Sequence, residues 1–371
     1  MNKVVDHRQS SRRPSGQPAA KEHGGNIYKA AEETGIPISG IMDFSASINP
    51  LGVPASVIRA IQEGIRDLPH YPEPFTENLT VQLSTHLDID PQSIICGNGS
   101  TELIYLLARA LAPGRVLIPA PTFSEYERAC LMVQGTSCVR HVLARENNFD
   151  LDPEAFIAAM EGCDMAFLCN PNNPTGRVLS NETVLAIAEA AQRMSCYLVV
   201  DEAFMDFVPE HSVVPDVSRY SHLIVLRSLT KFFALSGLRI GYGVFPGSVA
   251  VTMKENKEPW TVNSLAQKAG KVALRDQAYQ KETIAVIKEE KQFLEQGFAA
   301  MGVEYVPSAV NYYLLKLVNA RKIIDALRKK GILIRDCSNF PGLDGSYVRV
   351  AVRSREENTA LLKGLTTTCA A

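Results

Sequence analysis

The 371-residue sequence lacks a long apolar run, a C-x-x-C pair and an excess of basic residues. Without an apolar stretch of roughly 18 residues, we expect no membrane span. The net charge of -2 provides no basic field for nucleic acid or an acidic membrane, which favours a small-molecule partner. The eight cysteines are scattered, mostly in apolar strand-like runs. This pattern predicts reduced thiols in a cytoplasmic protein, without a disulfide framework or a metal site.

The length of the chain predicts two domains that share an interface. Residues 1–22 are polar and lack the apolar core of a secretory signal, so we interpret them as a disordered lead-in. We expect an N-terminal arm over 23–52 that contributes to the small domain and the active site. A large domain should follow over 53–260, and a small C-terminal domain over 261–371.

From Ile94 onward, short apolar runs alternate with segments of helical period. The alternation predicts an α/β fold whose sheet is covered on both faces and binds ligands at the carboxyl ends of its strands. A long helical pattern follows over 262–301, and the last seventy residues are typical of an α+β unit. The predicted strands of the α/β region lie at 94–96, 115–118, 138–142, 164–169, 197–200, 223–226 and 239–244.

One lysine, Lys231, lies in the segment SLTKFFALSGLRIGY, directly after an apolar strand-like run. Most lysines are solvated surface residues, and only the residues next to Lys231 suggest a functional role. A lysine amine can form a Schiff base with an aldehyde. Ser228, Thr230 and Arg239 supply donors suited to a phosphate. Together these residues predict an anchor for pyridoxal 5'-phosphate (PLP), which carries both groups.

Two further motifs follow predicted strands. In CGNGSTE, Gly99 frees the backbone, while Ser100 and Thr101 offer donors at the start of a helix. This is a phosphate cradle by its chemistry, although the spacing alone favours an ordinary helix cap. In NPNNPTG, the proline-restricted turn could hold the amide of Asn173 as a donor to a phenolate oxygen.

Asp201 ends a buried apolar run in the motif DEAF, where an ionised carboxylate needs a partner. A pyridinium N–H is such a partner, and a helix cap is the alternative. Phe123 could stack on an aromatic ring or belong to the core. Arg349 and Arg353 have a same-face strand spacing of four. With Arg335 they suggest a pocket for an anionic substrate, or else a salt-bridged surface strand.

The motifs GNGSTE, NPNNPTG, DEAF and SLTKFFALSGLRIGY, in this order and at these separations, resemble fold-type-I PLP enzymes of the aspartate aminotransferase superfamily. Within it, HGGN, DFSASINPLG, PWTVNSLA, ILIRDCSNFPGLD and YVRVAVRS are most similar to the threonine-phosphate decarboxylases of cobalamin biosynthesis. The similarity begins at about His23. It implies a large domain with a mixed, mostly parallel sheet, a small α+β domain, and a PLP-dependent decarboxylase.

The resemblance also implies roles for individual residues. Lys231 is expected to be the Schiff-base lysine and Asp201 the partner of the pyridine nitrogen, and these two form the catalytic pair. Asn173 is expected to bind the ring oxygen and also to contact the substrate, with Phe123 stacked on the ring. The residues expected around the cofactor phosphate are Gly99, Ser100, Thr101, Ser228, Thr230 and Arg239.

Tyr71 resembles the tyrosine that reaches the cofactor phosphate of the neighbouring subunit, which implies a homodimer with shared active sites. Arg349 matches the arginine that binds the substrate carboxylate. Ser47 departs from the family pattern DFSANINPLG, in which Asn occupies this position, and the change could alter which substrate fits. The further candidates for substrate binding are His23, Gly25, Arg335 and Arg353, with the two arginines and His23 expected at the substrate phosphate.

Several functions remain open at this point. The main one is decarboxylation of L-threonine O-3-phosphate to (R)-1-amino-2-propanol O-2-phosphate, or of serine phosphate to ethanolamine phosphate. The two substrates differ by one methyl group, which a pocket discriminates by only about 1–3 kcal/mol. An aminotransferase of the histidinol-phosphate type and a non-catalytic PLP-binding protein are the alternatives.

Overall fold

The computed structural model describes residues 23–369, so the predicted lead-in over 1–22 lies outside the described residues. The helices, numbered in chain order, are α1 Ile27–Thr34, α2 Ala55–Gly64, α3 Glu77–Leu87, α4 Ser100–Leu111, α5 Glu125–Leu131, α6 Pro153–Ala159, α7 Asn181–Arg193, α8 Gly247–Asn256, α9 Ser264–Ala273, α10 Gln277–Ala300, α11 Ala320–Lys329 and α12 Arg355–Cys369. None of these helices combines the length and apolar character needed to cross a bilayer.

The strands of this part of the chain form three sheets. They are β1 Met42–Asp43, β2 Ile94–Asn98, β3 Arg115–Ala120, β4 Ser137–Val142, β5 Met165–Cys169, β6 Tyr197–Asp201, β7 Leu223–Ser228, β8 Ile240–Val244, β9 Glu304–Tyr305, β10 Tyr312–Lys316, β11 Ile332–Leu333, β12 Arg335–Asp336 and β13 Tyr347–Ala351.

The largest sheet has the strand order β2-β8-β7-β6-β5-β3-β4. β8 pairs antiparallel with both of its neighbours, whereas the other pairings are parallel. The prediction of a mixed, mostly parallel sheet is therefore confirmed. The middle strands β5, β6 and β7 are almost entirely buried, as expected of parallel strands that helices cover on both faces.

The two faces of the sheet pack into separate hydrophobic layers. Along β7, Ile224 belongs to the layer that contains Leu103 of α4 and Met253 of α8. Its neighbour Val225 belongs to the opposite layer, which contains Ile187 of α7. This alternation follows from the two-residue period of a strand. Because β3, β5, β6 and β7 run parallel, their carboxyl ends meet at one edge of the sheet.

A second sheet, with the order β12-β13-β10-β9, is antiparallel. β12 pairs with β13 so that Arg335 lies directly opposite Arg349. The N-terminal arm joins this region, because β1 pairs in parallel with β11 and Phe44 accepts a 2.9 Å hydrogen bond from the backbone of Ala351. The boundaries of the two predicted domains stay a prediction.

The structure departs from the predicted elements in three places. The helical pattern over 262–301 is interrupted, because α9 ends at Ala273 and Asp276 caps the start of α10 by accepting a hydrogen bond from the Tyr279 amide at 3.1 Å. Helix α8 was not predicted, since its sequence GSVAVTMKEN mixes apolar and polar residues without a clear face. The two-residue strands β1 and β9 were also missed.

Candidate active site

The site lies at one edge of the large sheet, where the carboxyl ends of β2, β3, β5, β6 and β7 meet and antiparallel β8 begins. A cavity of about 410 Å³ opens there. Such an edge is where open α/β sheets bind ligands. The sequence-predicted residues that line the cavity are His23, Ser47, Ser100, Thr101, Phe123, Asn173, Asp201, Ser228, Thr230, Lys231, Arg239, Arg335 and Arg349.

Lys231 follows the end of β7 and its amine points into the cavity, 5.9 Å from the centre of the Phe204 ring. Desolvation, together with the charges of Arg349 and Arg239, lowers the pKa of this amine from its usual 10.5 to about 8. A lysine with a depressed pKa has a substantial neutral fraction near neutral pH. It is therefore suited to attack an aldehyde carbonyl.

Asp201 ends β6 and is only 3% exposed. Its carboxylate accepts hydrogen bonds from the Tyr126 hydroxyl at 2.7 Å and from the Ala203 amide at 3.0 Å. Burial nevertheless raises the pKa of Asp201 to about 6. A protonated pyridine nitrogen would supply the cationic partner that this carboxylate needs.

The phosphate donors surround the start of α4. Gly99 precedes this helix with φ +77°, and no side chain caps the helix. A Cβ at Gly99 would lie 2.5 Å from the Arg239 guanidinium, and a Cβ at Gly241 would lie 2.4 Å from the Ser100 amide. Because neither glycine has a side chain, the Arg239 guanidinium and the Ser100 amide stay accessible. Gly99 does not line the cavity, but its lack of a side chain leaves room for the guanidinium of Arg239, which does.

Ser228 and Thr230 add two hydroxyls, whose oxygens lie 2.7 Å apart. Hydroxyls, a guanidinium and an uncapped helix N-terminus are the donor types that bind a phosphate. The half-buried Lys231 amine and the buried Asp201 carboxylate line the same cavity. The residues present therefore fit PLP, with Lys231 at the aldehyde, Asp201 at the ring nitrogen and the α4 donors at the phosphate.

Arg349 connects the small sheet to the NPNNPTG turn. Its guanidinium donates to the Asn173 side-chain oxygen and to the Ser45 carbonyl, the latter at 2.8 Å. The amide nitrogen of Asn173 consequently remains a donor for a ring oxygen. The guanidinium carbon also lies 5.1 Å from the centre of the Tyr312 ring, so contacts on two sides fix its plane.

Two polar atoms of the site are buried without a hydrogen-bond partner, namely Arg349 Nε and Ser47 Oγ. Arg335, which is 9% exposed, lies opposite Arg349 and donates to Asn339 at 3.0 Å. Two neighbouring guanidinia repel each other unless an anion lies between them. The orphaned donor and the paired arginines both indicate that this half of the cavity binds an anion.

The structure corrects the expectation for Arg353. β13 ends at Ala351, and the Arg353 guanidinium binds Glu357 at 2.7 Å instead of facing the cavity. The same-face spacing therefore misplaced Arg353, whereas Arg335, which belongs to the same predicted group, lines the cavity from the neighbouring strand. Gly25 also lies outside this cavity, and its amide donates to the Ser45 hydroxyl at 2.7 Å.

Tyr71 does not line the cavity of its own chain. Its side chain is 85% exposed and its ring packs against Trp260, with 5.5 Å between the ring centres. A role at the neighbouring subunit therefore stays a prediction, as do the roles assigned to the other residues.

Sequence reasoning missed several residues of the cavity wall. Glu125 and Tyr126 are buried in the first turn of α5, and Arg128 follows one turn later. The acidic residue three positions before an arginine was a signal for an ion pair, but nothing in the sequence showed that Glu125 is buried. Tyr126 fits the apolar face of α5, which hid its contact with Asp201.

Residues 39–365 match the model of the family "Aminotransferase class I and II". The threonine-phosphate decarboxylase of Salmonella typhimurium is 40% identical over 92% of this chain and 95% of its own length.

Two solved structures resemble the whole fold. The histidinol-phosphate aminotransferase of Clostridium acetobutylicum has a TM-score of 0.82 and 32% identity, covering 88% of this chain and 98% of that one. The L-threonine-O-3-phosphate decarboxylase of Porphyromonas gingivalis has a TM-score of 0.79 and 29% identity, covering 88% and 99%. The predicted fold-type-I architecture is confirmed, and the chain belongs to the aminotransferase class I and II family.

Proposed function

We propose that this protein is a PLP-dependent carboxy-lyase that decarboxylates a phosphorylated amino acid, with L-threonine O-3-phosphate as the main substrate. The observation that carries the proposal is the pairing of Arg335 with Arg349 in the cavity that also holds Lys231 and Asp201. A substrate with both a carboxylate and a phosphate needs two cationic groups beside the reacting carbon. The 40% identity to a threonine-phosphate decarboxylase supports the same substrate.

The family to which the chain belongs works with PLP. When bound, this cofactor supplies an electron sink for the bonds of the substrate α-carbon. Lys231 would hold it covalently. Asp201 would keep the ring nitrogen protonated, while the Tyr126 hydroxyl fixes the orientation of the carboxylate.

On the substrate side, Arg349 binds the carboxylate through donors held in a fixed plane by Asn173, Ser45 and Tyr312. Arg335 and His23 bind the phosphate. The carboxylate leaves as CO2 and a proton takes its place on the α-carbon. The Lys231 amine is the proton donor for this carbon, since its pKa of about 8 allows it to hold and release a proton near neutral pH.

We also propose a homodimer in which Tyr71 reaches the cofactor phosphate of the partner. The support is the exposed aromatic surface of Tyr71 and Trp260, which is 50% exposed, because exposed aromatic groups mark interfaces. We place the enzyme in the cytoplasm, where the scattered thiols stay reduced. Its product would be the aminopropanol phosphate unit used in cobalamin assembly.

The experiment that tests the function uses the holoenzyme without any keto acid. Release of CO2 from L-threonine phosphate, with one amine formed per CO2, is expected. A strict requirement for a keto acid would instead identify an aminotransferase, which the similarity to histidinol-phosphate aminotransferases keeps as the second candidate. Parallel kcat/KM values for serine phosphate decide between the two phosphorylated amino acids.

A further inference from the structure

The cavity wall contains a carboxylate that the proposed reaction does not use. Glu125 is 5% exposed and accepts hydrogen bonds from His23 Nε2 at 2.8 Å and from the Tyr105 hydroxyl at 2.7 Å. Arg128 lies 3.7 Å from the same carboxylate. The bond from His23 is the largest cause that lowers the pKa of Glu125 to about 2, so the group is ionised at neutral pH.

An anionic side chain is unexpected in this place. The cavity carries Arg239, Arg335 and Arg349, and on the proposed function its substrate is itself an anion. A bare negative charge in the wall would repel that substrate. The contacts of His23 explain why the wall contains the negative charge of Glu125.

His23 lies in a short irregular stretch that precedes α1. Its ring packs against Phe123, with 5.8 Å between the ring centres. Gly24 packs so closely that a Cβ there would lie 2.2 Å from the Ser45 carbonyl. The backbone of this stretch thus packs directly against Ser45, while Glu125 binds the His23 imidazole.

We propose that Glu125 is a positioning residue, which fixes the His23 imidazole in the cavity wall so that Nδ1 faces the phosphate of the substrate. A ring that carries protons on both nitrogens can bind the carboxylate at Nε2 and the phosphate at Nδ1. Glu125 therefore acts through His23 and does not contact the substrate. This inference rests on the proposed function, because it assigns the phosphate to this wall.

The two possible roles of Glu125 predict opposite results. If it acted only as a charge, Glu125→Gln would remove repulsion and tighten the binding of an anion. If it positions His23, the same variant weakens binding, by about tenfold for the loss of one charge-assisted hydrogen bond. The probe is propyl phosphate, which has neither an amine nor a carboxylate, and its affinity for the holoenzyme is measured by calorimetry.

We expect Glu125→Gln to weaken propyl phosphate binding and to raise KM for L-threonine phosphate by about tenfold, with kcat within about threefold. His23→Asn should give the same loss. The double variant should lose no more than His23→Asn alone, because the two residues form one unit. Glu127→Gln is the matched control, since Glu127 lies on the same helix but pairs with Arg140, and it should bind like wild type.

Glu125→Asp serves as a second variant if the glutamine variant folds poorly. It keeps the charge but withdraws the carboxylate from His23, so only the positioning role predicts weaker binding. Tighter or unchanged binding in both variants, or additive losses in the double variant, would overturn the inference. Failure of the proposed function looks different, because the wild-type enzyme would then release no CO2 while the binding pattern of the variants persists.

Discussion

Replacing Arg349 with lysine keeps the positive charge and removes the planar fork. Arg349 donates to Asn173 and Ser45 through two different nitrogens, and its guanidinium carbon lies over the Tyr312 ring, 5.1 Å from the ring centre. An ammonium group cannot span both acceptors, so one charge-assisted bond and the ring contact are lost. These losses sum to about 2–4 kcal/mol, or roughly 30- to 1,000-fold in kcat/KM.

The assay is the initial rate of CO2 release from L-threonine phosphate, at equal cofactor occupancy judged from absorbance. Far-ultraviolet circular dichroism shows whether the variant is folded. Arg353→Lys is the matched control, because Arg353 belongs to the same stretch but binds Glu357 outside the cavity. We expect its kcat/KM to stay within about twofold of wild type.

The reasoning would be refuted if Arg349→Lys retained kcat/KM within threefold of wild type. It would also be refuted if Arg353→Lys lost as much activity as Arg349→Lys. Retained activity in Arg349→Lys would mean that a positive charge alone is enough to bind the substrate. An equal loss in Arg353→Lys would mean that both arginines affect activity only by stabilising the fold.

Three further predictions concern other residues of the cavity. Lys231→Ala should lower turnover by at least about 10⁴-fold, because the variant loses both the nucleophile and the proton donor, and should abolish the visible absorbance band of the covalently held cofactor. Asp201→Asn should reduce turnover but raise the free energy of unfolding of the cofactor-free protein by up to about 3 kcal/mol at pH 7, as measured in urea. This gain follows because burial raises the pKa of Asp201 from 3.8 to about 6. The contribution of Asp201 to stability is therefore present below pH 4 and is lost as the pH rises through 6. A gain in the Asn variant that does not shrink toward pH 4 would contradict this prediction. Ser47→Asn should replace the unpartnered hydroxyl with a larger side chain and shift the kcat/KM ratio toward the smaller serine phosphate by about tenfold. An unchanged ratio would remove Ser47 from the determinants of specificity.

Local chemistry made much of the site predictable from the sequence. Lys231, Asp201 and Asn173 each follow a buried strand, and parallel strands bring their carboxyl ends to one edge. The order of those strands, in contrast, depends on pairings between distant segments. β8 inserts between β2 and β7, and no periodicity in the sequence encodes that neighbour choice.

The errors have a common physical origin. Arg353 was grouped with Arg335 and Arg349 because of its spacing along one strand, whereas in the structure it binds Glu357 and only Arg335 lies opposite Arg349. Glu125 was overlooked because its partners lie far away in the sequence, His23 about a hundred positions and Tyr105 twenty positions earlier. Contacts between residues far apart in the sequence could be identified only from the structure.

The most direct test of the central claim follows the carbon that leaves. Holoenzyme is mixed with L-threonine phosphate labelled with ¹³C in its carboxylate, in heavy water and without a keto acid, and the products are followed by NMR. We predict that all consumed label appears as CO2 and bicarbonate, with one deuteron on the former α-carbon of the amine product. Label retained in a keto acid, or no turnover until a keto acid is added, would contradict the account.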